Sequence, residues 1–202
     1  MRTTEILMEE HRVIERVLLC LDKIAEDAFT KSAIDVASAR DVISFLRTFA
    51  DGCHHMKEEQ RLFPAMERCG LPREAGPTAV MRHEHDLGRA FVRRMDDAVA
   101  AFEKGVAGSA DRYAFEARGF VELLRDHIAK EDQVLFPMAD RMLPANVQDE
   151  LLAGFEHAEK HEIGEGTHER FLALADSLCA RWGVAKDAAA EKAHTCSCSH
   201  SH

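Results

Sequence analysis

No apolar run in the 202-residue sequence approaches the roughly 18 to 20 residues that a membrane span requires, so a membrane-embedded chain is not expected. Aromatic residues are few, with 11 Phe, one Tyr and one Trp, and β-branched residues are sparse, which argues against a sheet protein. Basic charge is in deficit: the formal net charge is −10, which excludes a nucleic-acid backbone as the main partner. The six cysteines form no C-x-x-C pair; Cys20, Cys53, Cys69 and Cys179 are scattered, and only Cys196 and Cys198 lie close together. The opening MRTTEILMEEHRVIERVLL carries charges throughout and does not read as a signal peptide. Reduced thiols and a cytoplasmic location are therefore expected, without a disulfide framework.

What remains is rich in Ala, Glu, Leu, Arg and Met, the residues of an all-α chain long enough for a full core. Apolar spacing and breakers mark five helical segments. The first covers about residues 4–28, with Ile6, Leu7, Val13, Ile14, Val17, Leu18 and Leu21 on one face. The second covers about 33–69, with Pro64 expected to kink or restart it. Gly70, Pro72, Gly76 and Pro77 form a break before a third helix at about 78–104, which Gly105 and Gly108 end. The fourth covers about 109–142, with Pro137 placed as Pro64 is in the second. After Pro144 comes a fifth segment, about 145–182, broken near Gly164 and Gly166.

The second and fourth helices repeat each other. From His54 the chain reads HHMKEEQRLFPAM, and from His127 it reads HIAKEDQVLFPMA. His54 overlies His127, Glu58 overlies Glu131, and both runs share Leu-Phe-Pro. The first helix contributes Glu10-His11 and the third Glu84-His85; His11 to His54 is 43 residues and His85 to His127 is 42. Two hairpins thus each carry a His and then a His-x-x-x-Glu pair.

Residues four apart share one helix face, so each pair can aim an imidazole and a carboxylate at one point in a bundle core. His11 and His85 would approach from the other two helices. Di-iron bundles build their sites from such inward carboxylates and Glu-x-x-His pairs; the order here is reversed and one residue longer. Four imidazoles with two carboxylates suit iron better than magnesium or calcium, and Glu58 and Glu131 could each bridge two ions. A lone His-x-x-x-Glu on a charged helix is ordinarily a solvated pair, but recurrence at matched intervals is not what independent surface residues produce.

These residues resemble the hemerythrin-like family, the HHE cation-binding domain, over about residues 4–142. The resemblance implies an up-down four-helix bundle around an oxo- or hydroxo-bridged di-iron pair. By motif the ligands it implies are His11, His54, Glu58, His85, His127 and Glu131. Oxygen-carrying members have a fifth histidine in a His-x-x-x-His pair of the third helix, and an aspartate five residues after the last histidine. Here Met81 and Arg89 flank His85 at four residues, and the last carboxylate, Glu131, follows at four. The set is closer to the iron-sulfur cluster repair proteins and the hemerythrin-like proteins of bacterial stress responses. The expected ligand is therefore a small diatomic (oxygen or nitric oxide) or a peroxide, sensed or reacted upon; iron handling or cluster repair is the alternative. A third reading is an interaction bundle with a soft-metal tail.

His55 could supply a fifth histidine to one iron, donate from behind the ligands, or face outward. His83 lies about 200° round the helix from His85 and should face away. Glu59 and Asp132 are expected to accept hydrogen bonds or face solvent, His157 and His161 to sit on a solvated face, and Cys53 to be packing. His168 could cover one end of the bundle. In the tail, His194, Cys196, Cys198, His200 and His202 could capture zinc or copper. The expected organisation is a di-iron bundle over residues 1–143, a C-terminal helical extension packed on it over 144–183, and a flexible Cys/His-rich tail over 184–202.

Overall fold

The computed structural model describes residues 2–185. Its elements are all helical, and no strand occurs among the described residues. We label them α1 (Thr3–Lys31), α2 (36–68), α3 (Pro77–Glu103), α4 (109–142), α5 (145–162) and α6 (Thr167–Trp182). The first four form the bundle; α5 and α6 are the expected fifth segment, broken at Gly164 and Gly166, which take positive φ. None of the helices is long and apolar enough to cross a membrane.

Local chemistry sets the ends. The Glu5 side chain accepts the Arg2 backbone N–H at 2.8 Å ahead of α1, and Asp35 accepts from the Ser38 N–H at 3.0 Å at the start of α2. Pro77 begins α3, where its missing N–H costs nothing.

Neither proline of the Leu-Phe-Pro repeats stops its helix. In α2, Glu58–Leu62 is a π-turn in which the Phe63 N–H bonds the Glu58 carbonyl; in α4, Glu131–Leu135 is another, with Phe136 bonded to Glu131. A proline clashes with the carbonyl four residues back and cannot bond it. Widening the preceding turn relieves both problems and lets the helix run on. The expected kink or restart is thus a π-bulge. A longer π stretch, Leu46–His55, precedes the first one.

The core lies in two apolar clusters. One gathers Ile14, Val17, Leu21, Phe45, Phe49, Val92, Phe120 and Leu124, with Phe171 and Leu178 of α6. The other gathers Leu7, Leu62, Phe63, Met81, Leu135 and Phe136, with Leu151 and Phe155 of α5. Along every bundle helix the histidines and glutamates of the repeat fall between the two. A polar layer is therefore sealed inside the bundle from both ends.

Candidate metal centre

Each bundle helix contributes to this layer, and all seven residues expected from the sequence are buried in it: His11, His54, His55, Glu58, His85, His127 and Glu131. His54 and Glu58 come from the π-wound part of α2, where a turn holds more residues and sequence neighbours subtend a smaller angle than in an α-turn. Both His54 and His55 can then face inward, which an α-turn would not favour.

The glutamates sit between the halves. Glu58 lies 3.6 Å from His54 Nε2 and 3.5 Å from His85 Nε2; Glu131 lies 3.3 Å from both His11 Nε2 and His127 Nε2. The Nε2 atoms of His85 and His127 are 3.1 Å apart, and His55 stacks on His85 with ring centroids 3.8 Å apart. Two groups result, each with one donor atom per residue within 4.8 Å of the others: His11, His54, Glu58 and Glu131, and His55, Glu58, His85 and His127.

Behind four of the histidines stands a uniform support. The Nδ1–H of His54 donates to Glu10 at 2.9 Å, and that of His127 to Glu84 at 3.0 Å, each within its own hairpin. His11 donates to Asp132 and His85 to Glu59, both at 2.7 Å and both across the hairpins. Every one of these carboxylates meets a cation in turn: Lys57 on Glu10, Lys130 on Glu84, Arg12 on Asp132 and Arg89 on Glu59. A hydrogen bond at Nδ1 fixes the tautomer and leaves the Nε2 lone pair pointing into the layer. His55 has the looser partner, Asp51 at 3.4 Å.

What the inward atoms lack is a partner. His11 Nε2, His54 Nε2 and both oxygens of Glu58 and of Glu131 are buried without any hydrogen bond. Leaving such groups bare costs about 1–3 kcal/mol each, and more when charged. A cation of octahedral or tetrahedral habit would satisfy them together, and a mixed imidazole and carboxylate set suits a first-row transition metal.

Protonation reflects the same crowding. Burial and the neighbouring Glu131 push the Glu58 carboxyl well above its usual range. Burial disfavours charge on Glu131 as well, but His127 and His11 outweigh it and hold its carboxyl well below. His127 is raised to about 9 because Glu131 and Glu84 outweigh burial, and His11 is raised through Asp132 and Glu131. Burial and His11 bring His54 down to about 4. Without a cation the layer must share protons among groups that would otherwise all be ligands.

Elsewhere the outcome is mixed. Glu59 and Asp132 do accept hydrogen bonds, from His85 and His11. His83, His157 and His161 are exposed. Cys53 is buried, and burial pushes its thiol up to about 12, as suits a packing residue. Cys20 and Cys179, far apart in sequence, meet with their sulfurs 3.8 Å apart in the core. His168 of α6 stands beside the polar layer, 3.9 Å from Glu10, and Lys57 is seated between Glu10 and Glu159 of α5. The tail residues His194, Cys196, Cys198, His200 and His202 lie outside the described residues. Sequence reading missed the supporting role of Glu10, Glu84, Lys57 and Lys130; the signal for the lysines was that Lys-Glu-acid follows the histidine in both repeats, and for Glu10 and Glu84 only that each directly precedes a histidine of the repeat.

A model of the hemerythrin HHE cation-binding domain matches residues 2–139. An uncharacterized protein of Mycobacterium tuberculosis is 27% identical over 164 residues, 80% of this chain and 62% of that protein. The iron-sulfur cluster repair protein YtfE of Musicola paradisiaca is 31% identical over 142 residues, 66% of this chain and 60% of its own length. The iron-sulfur cluster repair protein DnrN of Neisseria gonorrhoeae is 36% identical over 86 residues, 41% of this chain and 54% of its own. The chain thus spans about three-fifths of the length of the curated relatives it matches. No solved structure matches the chain.

Proposed function

The chain belongs to the hemerythrin HHE cation-binding family, and from that premise we propose that the buried polar layer holds two iron ions which bind, sense or react with a small oxidant. His11 and His54 would serve one ion, His85 and His127 the other, with His55 beside the second. Glu58 and Glu131 would serve both, since each already lies between a histidine of one half and a histidine of the other. The observation that carries the reading is the set of six inward atoms buried without a partner. Bound iron would supply redox chemistry and a position open to oxygen, nitric oxide or peroxide. The chain's own contribution is to hold the imidazoles in one tautomer and to keep bulk water out through the two apolar clusters.

Iron-replete expression followed by metal analysis tests this. About two irons per chain are expected, as in other carboxylate-bridged bundles, with a near-ultraviolet iron absorption that changes on adding azide or nitric oxide. Glu131→Ala and His54→Ala should each bring the content to about one or below. A sub-stoichiometric content in the wild-type chain would sink the reading.

A second reading is favoured by the similarity to YtfE and DnrN, whose names give iron-sulfur cluster repair as their work. In it the iron is labile and is delivered to a damaged cluster. Recovery of a damaged iron-sulfur enzyme by the iron-loaded chain, and not by Glu131→Ala, is the expected result; recovery no better than with free ferrous iron counts against it.

A further inference from the structure

The two hairpins repeat each other through the ligands but not behind them. Three residues after His11 stands Ile14; three after His85 stands Gly88. The residue after His127 is Ile128, and the residue after His54 is His55. Both isoleucines are buried in the core. On the side of α2 and α3, where their counterparts are a glycine and an imidazole, there is instead a cavity of about 170 Å³. Its buried walls are Leu46, Ala50, Val92 and Phe120, together with the buried ring of His55, the member of the polar layer that stacks on His85.

Gly88 has no backbone reason to be glycine. It sits inside a 27-residue helix, where glycine is the poorest choice after proline, and its φ is not positive. Nor does close packing demand it: an added Cβ would meet only Phe120, at an ordinary 3.6 Å. What the missing side chain leaves is room, and that room opens next to the histidines.

We infer that this cavity is a binding site for neutral apolar diatomic molecules, of the class of oxygen and nitric oxide, and their way in to the metal layer. Enclosed apolar cavities of roughly 150 Å³ stay dry and take up xenon, and the buried apolar walls of this pocket, which opens to solvent past Arg47, Asp51, Arg89 and Arg93, offer a small neutral guest the same contacts. A polar guest such as peroxide would lose its hydrogen bonds to water there and find few replacements. At the mouth Arg89 bonds Asp51 at 2.9 Å and Arg47 bonds Asp96 at 2.7 Å, while Arg93 stands at the rim without such a partner among the described residues, so what turns an anion away is the loss of its hydration against the apolar walls within. The inference rests on the proposed iron centre for its purpose, although the cavity itself does not.

Xenon is therefore the first probe, applied to the metal-free full chain by pressurised crystallography or xenon NMR. It should occupy the cavity in the wild type and be absent from Gly88→Ile, which installs the residue its repeat partner carries. Ala50→Leu fills the same space from the opposite wall, and Gly88→Ala serves as the folding control. Nitric oxide should then associate with the reduced, iron-loaded chain about tenfold more slowly in both filled variants, because entry now waits on side-chain motion. Azide binding to the oxidised chain should be unchanged. Xenon lodged elsewhere, or an unaltered nitric oxide rate at full iron content, overturns the inference. Equal slowing of azide overturns the assignment to neutral gases. A chain that takes up xenon here but loads no iron refutes the iron centre and leaves the cavity standing.

Discussion

His54 and His127 are held from behind by Glu10 and Glu84, and those carboxylates by Lys57 and Lys130, so an orienting pair of residues stands behind each of these inward imidazoles. Glu10→Gln and Glu84→Gln should keep the helix content while lowering iron affinity some 10- to 100-fold, the usual effect of losing such a partner; metal titration against a competing chelator reads it. Burial disfavours charge on Glu10, yet His54 and Lys57 hold its carboxyl down at about 2, so this support persists across the working pH range. Metal uptake should itself depend on pH. His127, raised to about 9, keeps a proton at neutrality that an incoming cation displaces, and His11 and Glu58 are shifted in the same direction, toward holding their protons. Because the proton competes with the metal, apparent affinity should rise with pH up to about 9 and then level off. Calorimetry in buffers of different ionisation enthalpy should show proton release on binding. The inward residues were legible from the sequence because they recur at matched spacing. Their supports were less so: Glu10 serves a histidine on another helix, a pairing that helix periodicity along α1 does not encode.

At the scale of elements, the repeated Leu-Phe-Pro marks where α2 and α4, the helices of the two His-x-x-x-Glu pairs, change their winding. Boundaries followed readily from Gly and Pro, and α4 ends at Met142 as expected. The π-turns did not follow, because they come from a contest between proline's clash and the helix's own hydrogen bonds. The inward turn of His55 is the clearest loss: taken as an α-helix, α2 leaves three placements open for it, and the π winding is what makes burial of both neighbours natural. Pro64→Ala and Pro137→Ala restore the missing N–H and remove the clash. Each should allow the ordinary register, raise helix stability in a thermal melt, and turn Glu58 or Glu131 away from its histidine. Iron affinity should then drop about tenfold even as the fold becomes firmer. Stability and affinity falling together would instead mean that the bulge is set by tertiary packing.

For the whole molecule, α5 and α6 make the two halves unequal. Lys57 is fully buried under Glu159, whereas its repeat partner Lys130 keeps 47% of its side chain exposed. The sequence marked these helices and the break between them but not their seat, since an apolar face does not name the surface it will cover. Phe155 of α5 is 2% exposed and packs in the apolar cluster below the polar layer. Phe155→Ala should cost about 3–5 kcal/mol in denaturant unfolding, a large share of a typical domain's roughly 5–15 kcal/mol. It should also open Lys57 to acylating reagents that leave it untouched in the wild type. A pair of identical hairpins brought together as a dimer would have to carry the same residue on both sides of its axis, so any opening on one flank would be an opening on both. Because the two hairpins are joined in one chain, position 14 can be isoleucine while position 88 is glycine, and one lysine can be roofed while the other meets water. Covalent linkage thus frees the polar layer from its own symmetry, giving two equivalent sets of inward histidines and glutamates a front and a back.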